Sequence, residues 1–548
     1  MFGWPRPWHE APGEDLPVPG GHVTLRWMGP EQPPPEQPSN LVRDAETAPR
    51  ELPDGSAPGV ERVRLVEQTL ADWRELIRRD DALAGDSEAA ESVVFLVRMG
   101  QLLKAEGRWE EARGCHEEFL RRMRGSEERW ESDIASALLE LGEIAEQQGR
   151  RDDAWGHYEQ VLHRFGSRQG PPPYDAVPAA QYRMGWLLCF QGRFDRARAS
   201  FKEMMLRYGQ APEDWLRVQA VQAHRGLAHV FHAEGRMEEA LASLVELSRR
   251  HGDSTDTATR GVVLRALFDL GWMYQSSRDA GRARTHYEEV LRGGAELPMY
   301  SLDEEMIADT HQGLALLDWN EGRWAESESH FQEALRRYAA LPSPRCREQH
   351  CRALTNLGLF YVKQDRFEEA HRCLHEVVVR YGESSEPVLQ EQVARALRTR
   401  GHALGARGLA EQSQPFYTEL VRRFGESTDA AVLQEVAVGL NQAGRMWIGE
   451  ARQCWKRGAA SAVEDCLRHA QEMLEASLRH APREPIVRGN LAYLAFLQGR
   501  WEEAHARLEE LVREGGEEVR RALLDEVREH TFFLDEKWSE LVRKLAPG

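Results

Sequence analysis

A six-residue mark recurs along this chain at a nearly constant interval, and that interval limits the fold more than any other property of the sequence. The mark is Gly-Arg, an aromatic or long residue, two residues that are mostly acidic, and Ala. It reads GRWEEA at Gly107–Ala112, GRRDDA at Gly149–Ala154, GRFDRA at Gly192–Ala197 and GRMEEA at Gly235–Ala240. It returns as GRWAES at Gly322–Ser327, DRFEEA at Asp365–Ala370, GLAEQS at Gly408–Ser413 and GRWEEA at Gly499–Ala504. Arg278 and Gly458 open two weaker copies. Eight of the nine steps between copies span 41 to 44 residues, and the step from Gly408 to Gly458 spans 50. A chain with such a period predicts a solenoid, in which each unit buries its apolar face against its neighbours.

Each unit reads as two helices. Apolar residues fall at helical spacing before the mark, as in Leu138, Leu141 and Ala145, and again after it, as in Ala197, Phe201 and Met204. The Gly ends the first helix at a left-handed position. The acidic pair then lies in the first turn of the second helix, where carboxylates favour the positive end of the dipole. Seven residues before the mark stands a small residue that lets the helices approach. It is Gly at 100, 142, 185, 271, 358 and 401, and Ala at 228, 315 and 492. The 50-residue step predicts a longer helix over Ala430–Lys456.

The combined pattern, with Leu357, Gly358, Tyr361, Phe367, Ala370 and Leu374 as one copy, resembles the tetratricopeptide repeat. The usual unit of that family is ~34 residues, so this array resembles its long-period, bacterial-type members. RYGESSEPVLQEQVARAL (Arg380–Leu397) and its echo RFGESTDAAVLQEVAVGL (Arg423–Leu440) have that character. The resemblance implies an all-α fold, a right-handed superhelical α-solenoid of antiparallel helix pairs. The expected organisation is a Pro-rich, largely disordered tail over 1–59 and a capping helix over 60–87. A TPR-like array of about ten helix pairs follows over 88–515, with capping helices over 516–548.

Composition narrows the function. The net charge of −19 argues against non-specific phosphate-backbone binding, which needs a basic footprint. Seven Cys without a CxxC pattern read as reduced thiols of a cytoplasmic protein. The N-terminal stretch lacks the basic and apolar regions of a signal peptide, and no run of 18 apolar residues is present. Residues 1–59 hold 13 of the 26 prolines, and EQPPPEQP (Glu31–Pro38) reads as polyproline II. Val23, Leu25 and Trp27 alternate as in a short strand. Trp4, Trp8 and Trp27 give this tail the character of a docking segment.

No catalytic pattern emerges. A Gly-Lys dipeptide, HExxH and GxSxG are all absent from the sequence. Cys346, His350, Cys351, His371, Cys373 and His375 crowd one repeat, but helix spacing sets the two groups ~20 Å apart along antiparallel axes. No metal, cofactor or catalytic residue is therefore expected. PPPY at Pro171–Tyr174 reads as a stiff connector.

In the tetratricopeptide family the first helix of each repeat lines the concave surface. Carried over repeat by repeat, the resemblance implies a partner-binding set of Tyr182, Trp186, Arg225, His229, Arg265, Phe268, Trp272, Gln312, Trp319, Arg352, Arg395 and Arg398. Gln222, His232, Gln275 and His402 fall on equivalent positions. Arg and aromatic residues are the enriched types at interface hot spots. Arginines on one face of an acidic protein suggest an acidic partner or a free C-terminal carboxylate. The expected function is a non-catalytic scaffold that binds a protein or peptide in this groove. The alternative is a regulatory or sensor subunit of a bacterial effector enzyme (a peptidase or signalling NTPase), with the tail as an autoinhibitory or docking segment. An RNA-binding array and an unrecognised enzyme are the remaining, disfavoured readings.

Overall fold

The computed structural model describes residues 59–83, 89–124, 130–166, 176–297, 304–341, 343–528 and 536–545. Residues 1–58, with the expected strand near Val23–Trp27, lie outside the described residues, as does the PPPY connector. The described residues form helices and turns, without strands. The helices fall into two compact units, taken separately below.

The first unit, within residues 27–302, contains α1 (Gly59–Leu83), α2 (Ala89–Ala105), α3 (Trp109–Arg122), α4 (Glu131–Gln147), α5 (Arg151–Phe165) and α6 (Ala176–Phe190). It continues through α7 (Phe194–Tyr208), α8 (Asp214–Ala233), α9 (Met237–His251), α10 (Thr257–Ser276) and α11 (Ala280–Ala295). The second unit holds α12 (Glu304–Asn320), α13 (Trp324–Ala340), α14 (Pro344–Lys363), α15 (Phe367–Tyr381), α16 (Pro387–Ala406) and α17 (Ala410–Phe424). It ends with α18 (Ala430–Lys456), α19 (Ala460–His480), α20 (Pro485–Leu497), α21 (Trp501–Arg528) and α22 (Glu536–Leu545). Both units are stacks of antiparallel helix pairs. The long helix expected over Ala430–Lys456 is present with those bounds, and the kink of α21 lies at Gly516.

The mark is the turn of every pair. Its eight glycines have φ between 70° and 79°, a region that costs L-residues free energy but not Gly. Two copies tolerate the strain without Gly, at Arg278 (φ 63°) and Asp365 (φ 57°). The next residue closes the turn by donating its N–H to a carbonyl five residues back, as Arg236 does to Phe231 at 2.9 Å. That residue is also the N-cap of the second helix. Where it is Arg it makes no side-chain cap bond. At Arg108, Arg150, Arg236, Arg366 and Arg500 the guanidinium instead pairs with the acid three residues on, as in Arg108–Glu111 at 2.7 Å and Arg366–Glu369 at 3.0 Å. The Ala that ends the mark is fully buried at 112, 154, 197, 240 and 504.

The small residue seven before the mark faces the residue nine after it. Gly142 meets Tyr158, Gly185 meets Phe201, Gly271 meets Tyr287 and Gly401 meets Tyr417. In each unit, first helices also touch the first helices of the adjacent repeats, as α4 touches α2 and α6, and α16 touches α14 and α18. Among the described residues, second helices make no comparable contact with one another. The first helices are therefore the more crowded layer, and each unit curves with that layer inside.

Candidate functional site

The inner layer of the first unit is built from α6, α8 and α10. Each carries apolar residues toward its own partner helix and polar or aromatic ones toward its neighbours. The centre is Asp269 of α10, which is buried. Arg225 of α8 donates to it at two points, Nε to Oδ2 at 2.6 Å and Nη2 to Oδ1 at 3.2 Å. His229, one turn further along α8, places Nε2 at 2.9 Å from Oδ2. Burial pushes the Asp269 carboxyl up, but Arg225 and His229 outweigh it and hold the group well below the usual carboxylate range.

Aromatic rings flank this ion pair. Trp186 packs against His229 with centroids 5.6 Å apart, and edge-on against Tyr182 and Phe201. On the other side His232 meets Trp272 edge-on at 5.1 Å. Burial pulls the His232 imidazole below its ordinary range. Tyr182, His229, His232, Trp272 and Gln275 remain half-buried, and the Gln275 side-chain oxygen accepts from the Tyr287 hydroxyl at 2.9 Å.

Four residues of the expected partner-binding set, Arg398 among them, are buried. Trp186 and Trp319 are each 4% exposed and Phe268 is 6% exposed. Trp319 sits edge-on to Phe331 and Phe360, and Phe268 lies against Tyr287. The reason is crowding: a first helix is enclosed by its own partner and by two neighbouring repeats, so large side chains there fill the space between helices.

The arginines are likewise engaged. In the second unit Arg395 pairs with Glu391 at 2.7 Å and Glu435 at 2.9 Å, and Arg398 pairs with Glu435 at 2.7 Å. Arg352 pairs with Glu348 one turn away in α14. Gln312 accepts from the buried Tyr338 hydroxyl at 3.1 Å, beside Asp309. Asp309 also takes Arg345 of the next first helix at 2.6 Å. The first unit opens with the same device: Lys104 pairs with Glu140 and Glu143, and Arg183 pairs with Glu143 at 2.8 Å. Arg265 is half-buried on α10. The inner layer is thus laced by ion pairs from repeat to repeat, and the basic stripe expected from the sequence is largely neutralised within it.

Sequence reasoning missed Asp269 and Glu435. Both lie off the inferred groove positions, facing the neighbouring repeat. The available signal was the alternation of charge between successive first helices, with Arg225 followed by Asp269 and Glu143 followed by Arg183. The crowded Cys/His repeat resolves into separate roles. His350 bonds the Tyr381 hydroxyl at 2.8 Å, while His371 stacks on His375 and meets Arg400. Among the described residues no group of three or more His, Cys, Asp or Glu is placed to hold a metal ion. No described helix is long and apolar enough to cross a membrane.

Comparisons with known proteins bear on the whole array. Models described as tetratricopeptide repeat match residues 97–171, 182–253, 306–381 and 465–523, just over half of the chain. A search of curated proteins returned no match. Similar solved structures include the apo form of RapI, with 13% identity, 70% of this chain and 97% of that chain covered, and a TM-score of 0.45. BtubC from P. vanneervenii shares 18% identity over 46% of this chain and 95% of that chain, with a TM-score of 0.34. A tetratricopeptide repeat protein from Parabacteroides merdae shares 14% identity over 57% of this chain and all of that chain, with a TM-score of 0.34.

Proposed function

Because this chain belongs to the tetratricopeptide repeat family, we propose that it is a non-catalytic scaffold whose inner layer binds a protein or peptide. The observation that carries the reading is the half-buried row of Tyr182, His229, His232 and Trp272 across α6, α8 and α10. Such side chains present apolar area and hydrogen-bonding capacity at little further cost in ordering. The ion pair under them holds α8 against α10 and keeps the row in register.

The narrower expectation of an acidic peptide or a free carboxylate loses its basis at Arg225. A ligand carboxylate there would have to compete with Asp269, which already occupies the guanidinium at two points. The recognised feature is instead an uncharged or aromatic stretch of a partner, read by rings and imidazoles. A cytoplasmic site of action fits this reading.

The test uses the full chain as bait in its source cells, beside a variant carrying Trp272→Ala and His232→Ala. The reading expects a partner retained by the wild type, lost by the variant, and cross-linked to α6, α8 or α10. Equal retention by the two baits, at equal helix content, would sink it.

A second reading rests on Trp4, Trp8 and Trp27 in the N-terminal segment. Here the chain is a regulatory subunit of an effector enzyme (a peptidase or signalling NTPase), and residues 1–59 occupy the inner layer until a partner displaces them. Removing those residues is then expected to tighten partner binding. Unchanged affinity removes the autoinhibitory role.

A further inference from the structure

The repeat closed by Gly458 lacks the Arg–acid pair found at five other turns and the first-turn acid found at most of them. Its N-cap is Ala459, without a side-chain cap bond, and the first turn of α19 holds no acidic residue. The Arg–acid pair seen at Arg108, Arg150, Arg236, Arg366 and Arg500 has no counterpart at Ala459. Two cysteines stand at this turn instead. Cys454, four residues before Gly458, accepts the turn-closing bond from the Ala459 N–H at 3.0 Å through its carbonyl. Cys466 lies eight residues after Gly458, on α19.

Positions four before and eight after a turn Gly meet across a helix pair. Asp318 and His330 bracket Gly322 with the same spacing, and their side chains lie 3.8 Å apart. Cys454 and Cys466 occupy the matching positions on α18 and α19, and the Cys454 thiol also donates to Glu450 Oε1 at 3.8 Å. Both cysteines are buried in one apolar cluster with Ile448, Ala470 and Leu474. The contact lies at the end of the helix pair, beside Trp455, which is 66% exposed.

We propose that Cys454 and Cys466 form a redox-closable staple across the Gly458 turn. The oxidant is a low-molecular-weight disulfide. One protein thiolate attacks it, forming a mixed disulfide and releasing one small thiol. The second protein thiolate then attacks the protein sulfur of that mixed disulfide and releases the other small thiol. One disulfide is reduced, one forms in the protein, and the two protein thiol protons end on the released thiols. Burial pushes the Cys466 thiol up to about 11, so exchange is slow at neutral pH and faster in mild alkali. Closure ties α18 to α19 where the Arg–acid pair is missing, and it restricts the unfolded state of the short loop between them.

The test treats the native full chain with oxidised glutathione at mildly alkaline pH for hours. Remaining thiols are then blocked with N-ethylmaleimide before trypsin digestion. Cleavage after Arg452, Lys456, Arg457 and Arg468 separates the two cysteines into the peptides 453–456 and 458–468. The proposal expects these two peptides joined by a disulfide that reductant removes, with Cys115, Cys189, Cys346, Cys351 and Cys373 recovered alkylated. It also expects amide exchange in α18 and α19 to slow on the order of tenfold in the oxidised chain. In Cys466→Ser the joined peptide is lost. Recovery of Cys454 and Cys466 as alkylated thiols, as stable glutathione adducts, or bonded to other cysteines overturns the proposal.

Discussion

Gly142 and Tyr158 define how closely two helices of a repeat approach: a Cβ on Gly142 would stand 2.2 Å from the Tyr158 ring. The ring lies where a side chain of the first helix would otherwise be, and its hydroxyl donates to Glu146 at 2.8 Å. Gly142→Ala must push α4 away from α5 or turn the ring out of its site. Overpacking of this kind costs about 1–3 kcal/mol. Because long arrays unfold in parts, the loss should be read locally, as faster amide exchange in α4 and α5. Wild-type exchange rates in the variant would refute the packing account.

Arg278 occupies the left-handed position that eight copies of the mark give to Gly. Arg278→Gly should therefore stabilise the α10–α11 pair, by about 0.5–1 kcal/mol after the entropic cost of Gly. Gly235→Ala, the reverse change in a sister turn, should destabilise by a similar amount. Thermal unfolding of the two variants checks this. A fall in midpoint for Arg278→Gly would show that the Arg side chain contributes more than its backbone strain costs.

His116 takes the place that other repeats give to Tyr, Phe or Leu. It is fully buried, and neither ring nitrogen has a hydrogen-bond partner. Burial, with Lys104 adding to it, pulls its imidazole down to about 3. Unfolded His titrates near 6.5, so from there down to about pH 3 the unfolded chain binds a proton that the folded chain refuses. Its contribution to stability is thus present above pH ~6.5 and drains away as pH falls. His116→Phe should raise stability by about 1–3 kcal/mol and flatten the loss between pH 7 and 5, as measured by exchange in α2 and α3. An unchanged pH profile contradicts this.

Asp269 is the anion on which two residues of α8 converge. Asp269→Asn keeps its size but removes the buried carboxylate that Arg225 and His229 share. Breaking a buried pair from one side costs about 3–5 kcal/mol. The carboxyl titrates well below its unfolded value near 3.9. Its stabilisation is therefore complete above pH ~4 and lost as pH falls below that. Denaturation of the variant at pH 7, together with an acid titration of the wild type, tests both statements. A variant as stable as the wild type would mean that α8 and α10 are held by apolar packing alone.

Much of the repeat was legible without coordinates. The left-handed glycines, the acids in the first turn, the buried Ala and the small residue facing Tyr158 or Phe201 all followed from spacing, as did the length of α18. The inner-layer inventory was less legible. Position in the repeat assigns a residue to a helix face but does not say how much of that face the neighbours cover. Trp186 and Trp272 hold equivalent positions, yet Trp186 is enclosed by Tyr182, Phe201 and His229 while Trp272 stays half-buried.

By itself the sequence determined the repeat, its turn and its helix pair, because those depend on interactions reaching only a few residues: backbone torsion at the turn, hydrogen bonds five residues apart, charge beside a helix end. Only the tertiary structure decided which inner-layer charges remain available. Arg225 and Asp269 are 44 residues apart in the chain. Their pairing, like that of Arg398 with Glu435, exists because one first helix packs on the next. Inside that layer water is displaced, and removing one partner of such a pair is strongly destabilising.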